Sequence, residues 1–431
     1  METKTHLVLV GFGQNRIHLI PAVMAICNDL PELKVTIIDK KSFECIIGES
    51  RLLTEEQTNW CKERFVQENG GSEVVADNLL LREKLRTDYE KGFQRIFYLS
   101  LPPEIFESTI KKYSGYADIF IIEKPWALDQ ERLRKIVESS RSIKILGIDH
   151  YLWKPKVRQF LKDMQLEYNL KLLLESHSLD FVLCESDLDS RDRTYFWKTG
   201  VAIDMIPHVM PLLDRLFDNR IRKVSVRKAI PGTCDDIIVS DVLNKSNNVS
   251  VTGPSSMAAL KFDVKETFAE IIMILYLESG QSKLVHVVLG KGITVPSILV
   301  CDVRSQFQKF LYCSFGNIFL DLSNYNIVLK CDKKVSNEIE SPWYYMFRSL
   351  IRKEYNCFLD IEFIQKYVSL YGSILSRLND SVLEVTGKEF TSGYARLLLN
   401  YGEFRYVKGE EFHLKLIHPG CCFTNNYVTK L

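Results

Sequence analysis

The sequence predicts two different folds in one chain, an α/β amino-terminal domain with a parallel sheet and then an α+β domain with a large, mostly antiparallel sheet. Up to about residue 150, short runs rich in β-branched residues alternate with helical patterns, which is typical of βαβ units. From about residue 170, longer extended runs separated by turn signals replace that alternation, and this favours antiparallel pairing. We therefore predict domains at residues 1–152 and 153–431.

The individual elements follow from these patterns. Parallel strands are predicted at residues 6–10, 34–38, 95–99, 119–122 and 143–148, with the first helix beginning near residue 17. In the second domain, extended runs are predicted at residues 171–174, 222–227, 268–277, 283–289 and 310–322, and helices at residues 201–216, 343–352 and 361–378. The polar, irregular stretch 234–256 predicts a loop.

The composition of the chain excludes several classes of protein. Its 431 residues, 46% of them apolar, are enough for two domains with a large core. The balance of 56 basic and 55 acidic residues gives no reason to expect nucleic acid or a membrane as a partner. The 11 cysteines contain no C-x-x-C pair, so neither a metal site nor a disulfide framework is expected. No secretion signal or bilayer-spanning run is present in the sequence, so we expect a cytoplasmic location.

A glycine-containing turn follows the first predicted strand. Gly11 and Gly13, with Gln14 and Asn15, lead into the first helix, and backbone N–H groups of such a turn can approach a pyrophosphate. The third glycine of the dinucleotide fingerprint is replaced by Arg16, so the motif alone also fits a tight turn without a ligand.

The end of the second strand adds context to this turn. Asp39 lies 26 residues after Gly13, where a carboxylate accepts hydrogen bonds from the ribose hydroxyls of NAD. The following Lys40 and Lys41 favour instead the additional phosphate of NADP. The sequence therefore predicts a Rossmann domain that binds NAD or NADP, with a slight preference for NAD.

Charged residues follow two further predicted strands. Glu123, Lys124 and Pro125 come after the strand at 119–122, and Asp149 begins the stretch Asp-His-Tyr-Leu-Trp-Lys after the strand at 143–148. Because doubly wound sheets bind ligands at the carboxyl ends of their strands, this spacing predicts a site for an anionic or polyhydroxylated small molecule.

Together these motifs resemble successive landmarks of the glucose-6-phosphate dehydrogenase family. The similar segments are residues 97–103, 123–125, 149–154, 195–196, 200–205, 266–269 and 290–291. The chain also resembles the broader superfamily of glucose-fructose oxidoreductase and inositol dehydrogenase, because Gly200, Asp204 and His208 fit its G-x-x-x-D-x-x-x-H helix. Both resemblances imply a Rossmann domain followed by a domain built on a large antiparallel sheet.

The resemblance also implies roles for individual residues. His208 would be the general base that removes a proton from the substrate hydroxyl, Asp149 would orient that imidazole, and Lys124 would bridge substrate and cofactor. Other residues would hold the sugar or its phosphate: His150, Tyr151, Lys154, Glu185, Asp204 and Lys291. The cofactor would contact Gly11, Gly13, Gln14, Asn15, Asp39, Lys40, Pro102, Glu123 and Lys124.

Each assignment has a structural alternative. His208, on an apolar helix, also fits a core histidine, and Asp149 also fits a helix cap. Lys154 also fits a solvated lysine at a helix start, Lys291 a turn residue, and Glu185 an exposed acidic loop.

The sequence departs from the glucose-6-phosphate dehydrogenase pattern in three places. Trp153 replaces a glycine of the phosphate motif, where a bulky indole fills space or displaces Lys154. Trp126 and Ala127 replace the usual Phe-Gly pair, and His208 follows Asp204 at the spacing of the broader superfamily. These departures leave the identity of the sugar open.

We therefore predict an NAD(P)-dependent dehydrogenase that oxidises a hexose 6-phosphate at C1 to its lactone. The alternatives are an inositol-dehydrogenase-like enzyme acting on a secondary hydroxyl of an unphosphorylated or nucleotide-linked sugar, and a non-catalytic relative. A homo-oligomer is expected, because an open antiparallel sheet leaves a face to cover.

Overall fold

The computed structural model describes residues 4–11, 16–48, 53–68, 76–140, 143–165, 167–175, 178–185, 193–232, 268–291, 309–315, 318–321, 341–381, 403–407, 411–415 and 429–430. Contacts divide the chain into two units. The first contains Met1–Pro155 and Asn337–Ser369, and the second contains Lys156–Ser336 and Leu370–Leu431. The division after Pro155 lies close to the predicted boundary at residues 152 and 153, whereas the return of residues 337–369 to the first unit was not predicted.

The first unit is built on a parallel sheet of six strands in the order β3-β2-β1-β4-β5-β6. The predicted strands of this sheet are confirmed to within one residue, because they are continuous apolar runs buried on both faces. Their bounds are β1 (Thr5–Val10), β2 (Lys34–Asp39), β3 (Phe65–Gln67), β4 (Gln94–Leu99), β5 (Ile119–Ile122) and β6 (Lys144–Gly147). The strand order reverses between β1 and β4, which is where such sheets bind ligands.

The helices of this alternation carry local start signals. The third helix begins with a capping box in which the Thr54 side chain accepts a hydrogen bond from the Gln57 N–H, and the sixth begins at Asp129, which accepts one from Arg132. The helices are α1 (Arg16–Asp29), α2 (Phe43–Gly48), α3 (Glu55–Lys62), α4 (Ala76–Glu90), α5 (Phe106–Tyr113) and α6 (Gln130–Ser139).

The second unit contains a six-stranded sheet in the order β12-β11-β7-β10-β9-β8. Its described strands pair antiparallel, except that β7 and β10 are parallel, so the predicted fold class is confirmed. The strands are β7 (Ser178–Glu185), β8 (Ile221–Gly232), β9 (Phe268–Leu277), β10 (Ser282–Lys291), β11 (Lys309–Phe315) and β12 (Ile318–Asp321). A separate antiparallel sheet contains β13 (Glu403–Val407), β14 (Glu411–Lys415) and β15 (Thr429–Lys430).

Three further helices flank β7 in the sequence. α7 (Pro155–Met164) and α8 (Glu167–Glu175) come before it, and α9 (Arg193–Leu216) follows it. The extended run predicted at residues 171–174 is wrong, because these residues belong to α8. The segment is rich in leucine and has no β-branched residue, so its intrinsic preference is helical. The ammonium of the buried Lys283 on β10 donates to the Leu174 carbonyl in the last turn of α8, where a cation complements the helix dipole.

The segment that returns to the first unit contains α10 (Pro342–Ile351), a 3-10 turn at Tyr355–Cys357 and the start of α11 (Ile361–Ser381). α10 contacts α1, and Leu359 exchanges two backbone hydrogen bonds of 2.7 and 3.0 Å with Gly147 at the end of β6. These contacts explain why residues 337–369 pack with the first unit although they lie far along the chain.

Two further expectations concern a membrane-spanning helix and the loop at residues 234–256. No helix among them is both long enough and apolar enough to cross a membrane. The loop predicted at residues 234–256 lies outside the described residues.

Candidate functional site

The turn after β1 has room only for glycine. Gly11 has φ +84°, and its N–H donates to the Ile38 carbonyl at 2.8 Å, while the Ser100 N–H donates to the Val10 carbonyl at 2.9 Å. A Cβ at Gly11 would lie 2.4 Å from the Ser100 oxygen and 2.5 Å from Leu101 Cδ2. The backbone therefore makes a tight turn between the carboxyl ends of β2 and β4, as a dinucleotide turn requires. Gly13, Gln14 and Asn15 lie outside the described residues.

Asp39 ends β2, beside this turn. Its Oδ1 atom accepts a hydrogen bond of 2.9 Å from the Lys41 N–H, and Lys40 is exposed. Pro102 begins the 3-10 turn after β4, and its carbonyl accepts a hydrogen bond from the Ile105 N–H. A glycine that no side chain can replace, together with a carboxylate at the end of β2, fits a bound dinucleotide. The Asp39 carboxylate, which favours NAD, and the exposed Lys40 side chain, which favours NADP, are both present at the end of β2. The structure therefore does not choose between the two cofactors.

Glu123 and Lys124 follow β5. The buried Tyr98 hydroxyl on β4 donates a hydrogen bond to the Glu123 carboxylate, and burial together with that negative charge raises the pKa of Tyr98 well above its usual value. The Lys124–Pro125 peptide bond is cis. The buried Trp126 ring donates from Nε1 to the Ile148 carbonyl at 3.2 Å, so the segment after Lys124 is tied to the end of β6.

Asp149 follows β6 and is almost completely buried. Its carboxylate caps the 3-10 turn His150–Trp153 by accepting a hydrogen bond of 3.2 Å from the Tyr151 N–H, so the structural alternative for this residue is present. Burial raises the pKa of Asp149 to about 8, although the Tyr151 N–H and the charges of Lys124 and Lys154 act in the opposite direction. A carboxyl group with this pKa at a strand end is a candidate for proton chemistry.

The 3-10 turn presents three polar side chains beside Asp149. The His150 and Tyr151 rings have centroids 4.8 Å apart, and the Lys154 ammonium lies 3.7 Å from the centroid of the Tyr151 ring. His150 Nδ1 is 4.0 Å from Asp149 Oδ1. We call His150, Tyr151 and Lys154 the anion cluster, because two cationic groups and a phenol can bind a dianion.

Trp153 does not occupy the anion cluster. Its indole is buried and packs against Phe358 of the returning segment, with ring centroids 5.1 Å apart. The bulky residue therefore fills the core of the first unit, while Lys154 stays over the Tyr151 ring.

In the second unit, α9 carries Asp204 and His208. Gly200 has φ +78° and ψ 168°, which are not helical values, so the helix is broken there and continues from Val201. Asp204 and His208 are buried and lie four positions apart, so they share one face of the helix. The burial of His208 fits both a core histidine and a base, and its catalytic role stays a prediction.

Glu185 and Lys291 occupy corresponding strand ends in the second unit. β7 ends at Glu185 and β10 ends at Lys291, and the two residues are partners in the parallel pairing of these strands. Their side chains lie outside the described part, but neither residue belongs to a loop. The predicted pair is thus brought to one edge of the sheet.

Sequence reasoning did not identify two residues of the first unit that support this site. Tyr98 is recognisable only as one aromatic residue in an apolar strand, and Trp343 lies on α10, far from the motifs. The Trp343 ring stacks on the His150 ring with centroids 5.6 Å apart. No spacing in the sequence connects these two residues, because their contact depends on the return of the chain.

Comparison with known proteins finds similarity to glucose-6-phosphate dehydrogenases. A family model described as glucose-6-phosphate dehydrogenase, NAD binding domain, matches residues 40–159, which is less than half of the chain and begins after the Gly11 turn. The bifunctional glucose-6-phosphate 1-dehydrogenase/6-phosphogluconolactonase of Plasmodium falciparum is 26% identical over 268 residues, which are 52% of this chain and 28% of that protein. The chain thus spans well under half the length of this relative.

The fold is shared with two groups of dehydrogenases. A structure of glucose-6-phosphate dehydrogenase in complex with glucose-6-phosphate has a TM-score of 0.60 at 16% identity and covers 87% of this chain and 92% of its own. A myo-inositol dehydrogenase from Corynebacterium glutamicum has a TM-score of 0.51 at 14% identity, with 88% and 97% covered. The predicted resemblance to glucose-6-phosphate dehydrogenases is confirmed, while only the fold is shown to be shared with the broader superfamily. The match to an NAD-binding domain supports NAD or NADP as the cofactor.

Proposed function

We propose that the chain is an NAD(P)-dependent dehydrogenase that oxidises a hexose 6-phosphate at C1 to its lactone. The observation that carries this proposal is the position of Lys124, Asp149 and the anion cluster at the ends of β5 and β6. These strands belong to the same parallel sheet as the glycine turn after β1. Cofactor-binding and anion-binding groups thus lie at one edge of one sheet, where doubly wound sheets bind ligands.

The cofactor would be held by the described residues around the β1 turn. Gly11 permits a close approach of the backbone to the pyrophosphate, and Asp39 accepts hydrogen bonds from ribose hydroxyls. Glu123 follows β5, and Pro102 begins the 3-10 turn after the neighbouring strand β4. Both would contact the nicotinamide side of the cofactor. When bound, the nicotinamide supplies the acceptor for the hydride that leaves C1.

The anion cluster would bind the phosphate. The Lys154 ammonium and the His150 imidazole supply positive charge, and the Tyr151 hydroxyl donates a hydrogen bond. Lys154 over the face of the Tyr151 ring also gains a cation–π interaction, which restricts a long and otherwise mobile side chain. Such prior ordering reduces the entropy that phosphate binding costs.

We assign the proton transfer to His208. A histidine is suited to take the proton of the C1 hydroxyl as a general base, and Asp149 in its ionised form would favour the imidazolium that results. Lys124 would hold the reacting hydroxyl, while Asp204, Glu185 and Lys291 would bind the other sugar hydroxyls.

A second function is favoured by one observation. Asp204 and His208 share a helical face at four-residue spacing, which is the arrangement that the sequence shares with inositol dehydrogenases. An enzyme of that kind would oxidise a secondary hydroxyl of an unphosphorylated or nucleotide-linked sugar, with Lys124 and His208 in the same roles.

Absorbance of reduced nicotinamide tests both functions. The purified protein is offered glucose 6-phosphate, glucose or myo-inositol, each with NAD and with NADP. We expect turnover of glucose 6-phosphate alone, lost in His208→Ala, with Lys154→Ala acting mainly on KM. Lys162→Ala is the control, because Lys162 is an exposed lysine on α7 outside the cluster.

The other outcomes are equally informative. Turnover of inositol or glucose in preference to the phosphate would replace the first proposal by the second. Binding of a dinucleotide without turnover of any sugar would contradict both and favour a non-catalytic relative. We also propose that the protein is a homo-oligomer, because Leu284 leaves apolar surface exposed on the sheet of the second unit.

A further inference from the structure

The returning helix α10 places an aromatic side chain against the anion cluster. Trp343 is 5% exposed, and its indole stacks on the His150 imidazole with centroids 5.6 Å apart and ring planes at 23°. This contact joins residues that are far apart in the sequence but belong to the same unit. The distance and angle are those of an offset aromatic stack.

Trp343 is itself held in place by β4. Its ring meets Tyr98 edge to face, with centroids 6.3 Å apart at 88°, and Phe347 on the next turn of α10 packs on Tyr98 at 5.3 Å. Tyr98 is fully buried and donates to the Glu123 carboxylate. The support of His150 is therefore rigid, and it is continuous with the support of Glu123.

A stacked neighbour limits what the imidazole can do. Rotation about the bond between Cβ and the ring would drive the His150 ring into the indole, so the ring keeps one plane and only its two flipped forms remain. His150 Nδ1 lies 4.0 Å from Asp149 Oδ1, so the ring is in the form in which Nδ1 faces this carboxyl group. Nε2 is then left in a fixed direction, away from Asp149.

We propose that Trp343 is a positioning residue for His150, which fixes the plane in which the imidazole presents Nε2 to a phosphate group. The inference rests on the proposed function for the identity of the ligand, but the stacking contact itself does not. Trp343 touches no reacting atom, so its loss changes binding of the anion and leaves the chemical step intact.

Two measurements separate the contact from its consequence. In the first, full-length protein labelled with ¹³C-histidine is observed by NMR without ligand, and the His150 signal is assigned by its loss in His150→Gln. We expect Trp343→Leu to move that signal by removing the ring current of the indole. Trp343→Phe should keep most of the shift, and Trp60→Leu, a change on α3 outside this cluster, should have no effect.

In the second, inorganic phosphate binding and the KM for glucose 6-phosphate are measured for the same variants. Trp343→Leu should weaken both by about 3- to 10-fold with kcat within about 2-fold, which is the size expected for one aromatic stack. Trp343→Phe should restore most of the affinity. In a His150→Gln background, Trp343→Leu should have no further effect, since the residue it positions is absent.

The outcomes distinguish this inference from the proposed function. If Trp343→Leu weakens phosphate equally with and without His150, or lowers kcat alone, the positioning role is wrong even when sugar phosphate is turned over. If no sugar is oxidised but the NMR shift and the phosphate cycle behave as expected, the proposed function fails and the positioning role stands. Absence of any phosphate binding by the unmodified protein would overturn both.

Discussion

Two buried titratable residues of the first unit have pKa values displaced in opposite ways. Burial raises the pKa of the Asp149 carboxyl to about 8, and burial lowers the pKa of the His6 imidazole to about 4, although Asp88 partly opposes the change at His6. In each case the environment disfavours the charged form. Asp149 lies at the carboxyl end of the sheet, within the proposed site, whereas His6 lies in β1 within the core.

The role assigned to Asp149 requires its ionised form, so the pKa predicts a pH dependence of activity. With a pKa of about 8, roughly one tenth of the carboxyl groups are ionised at pH 7 and roughly nine tenths at pH 9. We expect kcat/KM to rise by about tenfold over this interval. Asp149→Asn should lose this rise and lower kcat/KM by about 100-fold or more.

Asp129→Asn is the matched control, because Asp129 caps α6 with a half-exposed carboxylate. Its pH profile should keep the shape seen for the unmodified protein. A rise through pH 8 that persists in Asp149→Asn would assign the limb to another group and contradict the role of Asp149.

His6 predicts an acid-sensitive stability. Its Nε2 lies 2.9 Å from Thr36 Oγ1 and its Nδ1 lies 2.8 Å from Asp88, in a site with no exposed ring surface. The folded pKa of about 4 lies below the unfolded value of 6.5, so the unfolded chain binds more protons in between. The contribution of His6 is therefore complete above pH 6.5 and is lost as pH falls toward 4, by on the order of 3 kcal/mol.

Asp149 acts in the other direction, since its folded pKa is raised and its unfavourable contribution grows as pH rises from about 4 to 8. The difference in unfolding free energy between unmodified protein and His6→Gln isolates the histidine. We expect this difference to shrink by about 3 kcal/mol between pH 7 and pH 4 in urea titrations. A difference for His6→Gln that stays constant between pH 7 and pH 4 would refute the assignment.

At the scale of elements, the turn between β1 and α1 depends on a missing side chain. Gly11→Ala would combine strain at φ +84° with a Cβ that lies 2.4 Å from the Ser100 oxygen. We expect a loss of about 2–4 kcal/mol in unfolding free energy and at least tenfold weaker dinucleotide binding, because the backbone must shift. Urea denaturation and a dinucleotide titration measure the two effects.

Gly92 supplies the control for this prediction. Gly92 has φ +77°, so an alanine there would suffer nearly the same backbone strain as at Gly11. Its Cβ, however, would meet no atom within 4 Å. Gly92→Ala should therefore lose only the smaller cost of strain, about 1 kcal/mol, and leave dinucleotide binding unchanged. Equal effects of the two substitutions would show that crowding at Gly11 has no role.

The elements differ in how far the sequence predicts them, and the reason is physical. β5 and β6 were predicted within one residue because both faces of these strands are buried, and a continuous β-branched run records that burial. α8 was misread as extended because a short apolar run has no periodicity of its own. The motifs at 123–125 and 149–154 were predictable, since each follows a strand directly.

The contact between Trp343 and His150 cannot be predicted from local sequence patterns. It depends on α10 returning to the first unit and on Leu359 pairing with Gly147, and neither contact leaves a local pattern. Site residues that directly follow a strand could therefore be predicted from the sequence. Residues that support the site through contacts with distant parts of the chain could not.

At the scale of the whole molecule, one face of the sheet of the second unit is buried and the opposite face carries exposed apolar surface at Leu284. Along β10, Val285, Val287 and Leu289 are fully buried, whereas Leu284 points to the other face and is 44% exposed. Leu284 is the antiparallel partner of Ile274, so the two side chains form an apolar pair on that face. Exposed apolar pairs on a sheet are typical of surfaces that another chain covers.

We predict that a second copy of the chain covers the Leu284–Ile274 pair. A second copy of the chain is the occupant that a homo-oligomer requires, and a two-fold contact brings Leu284 of one copy to the same face of the other. We expect the unmodified protein to be a dimer or larger by light scattering, and Leu284→Asp to shift it to the monomer by burying unpaired charge in the interface. Ser108→Asp, at an exposed position of α5 in the first unit, should leave the mass unchanged. A monomeric unmodified protein, or an oligomer that tolerates Leu284→Asp, would show that this face is not the interface between copies.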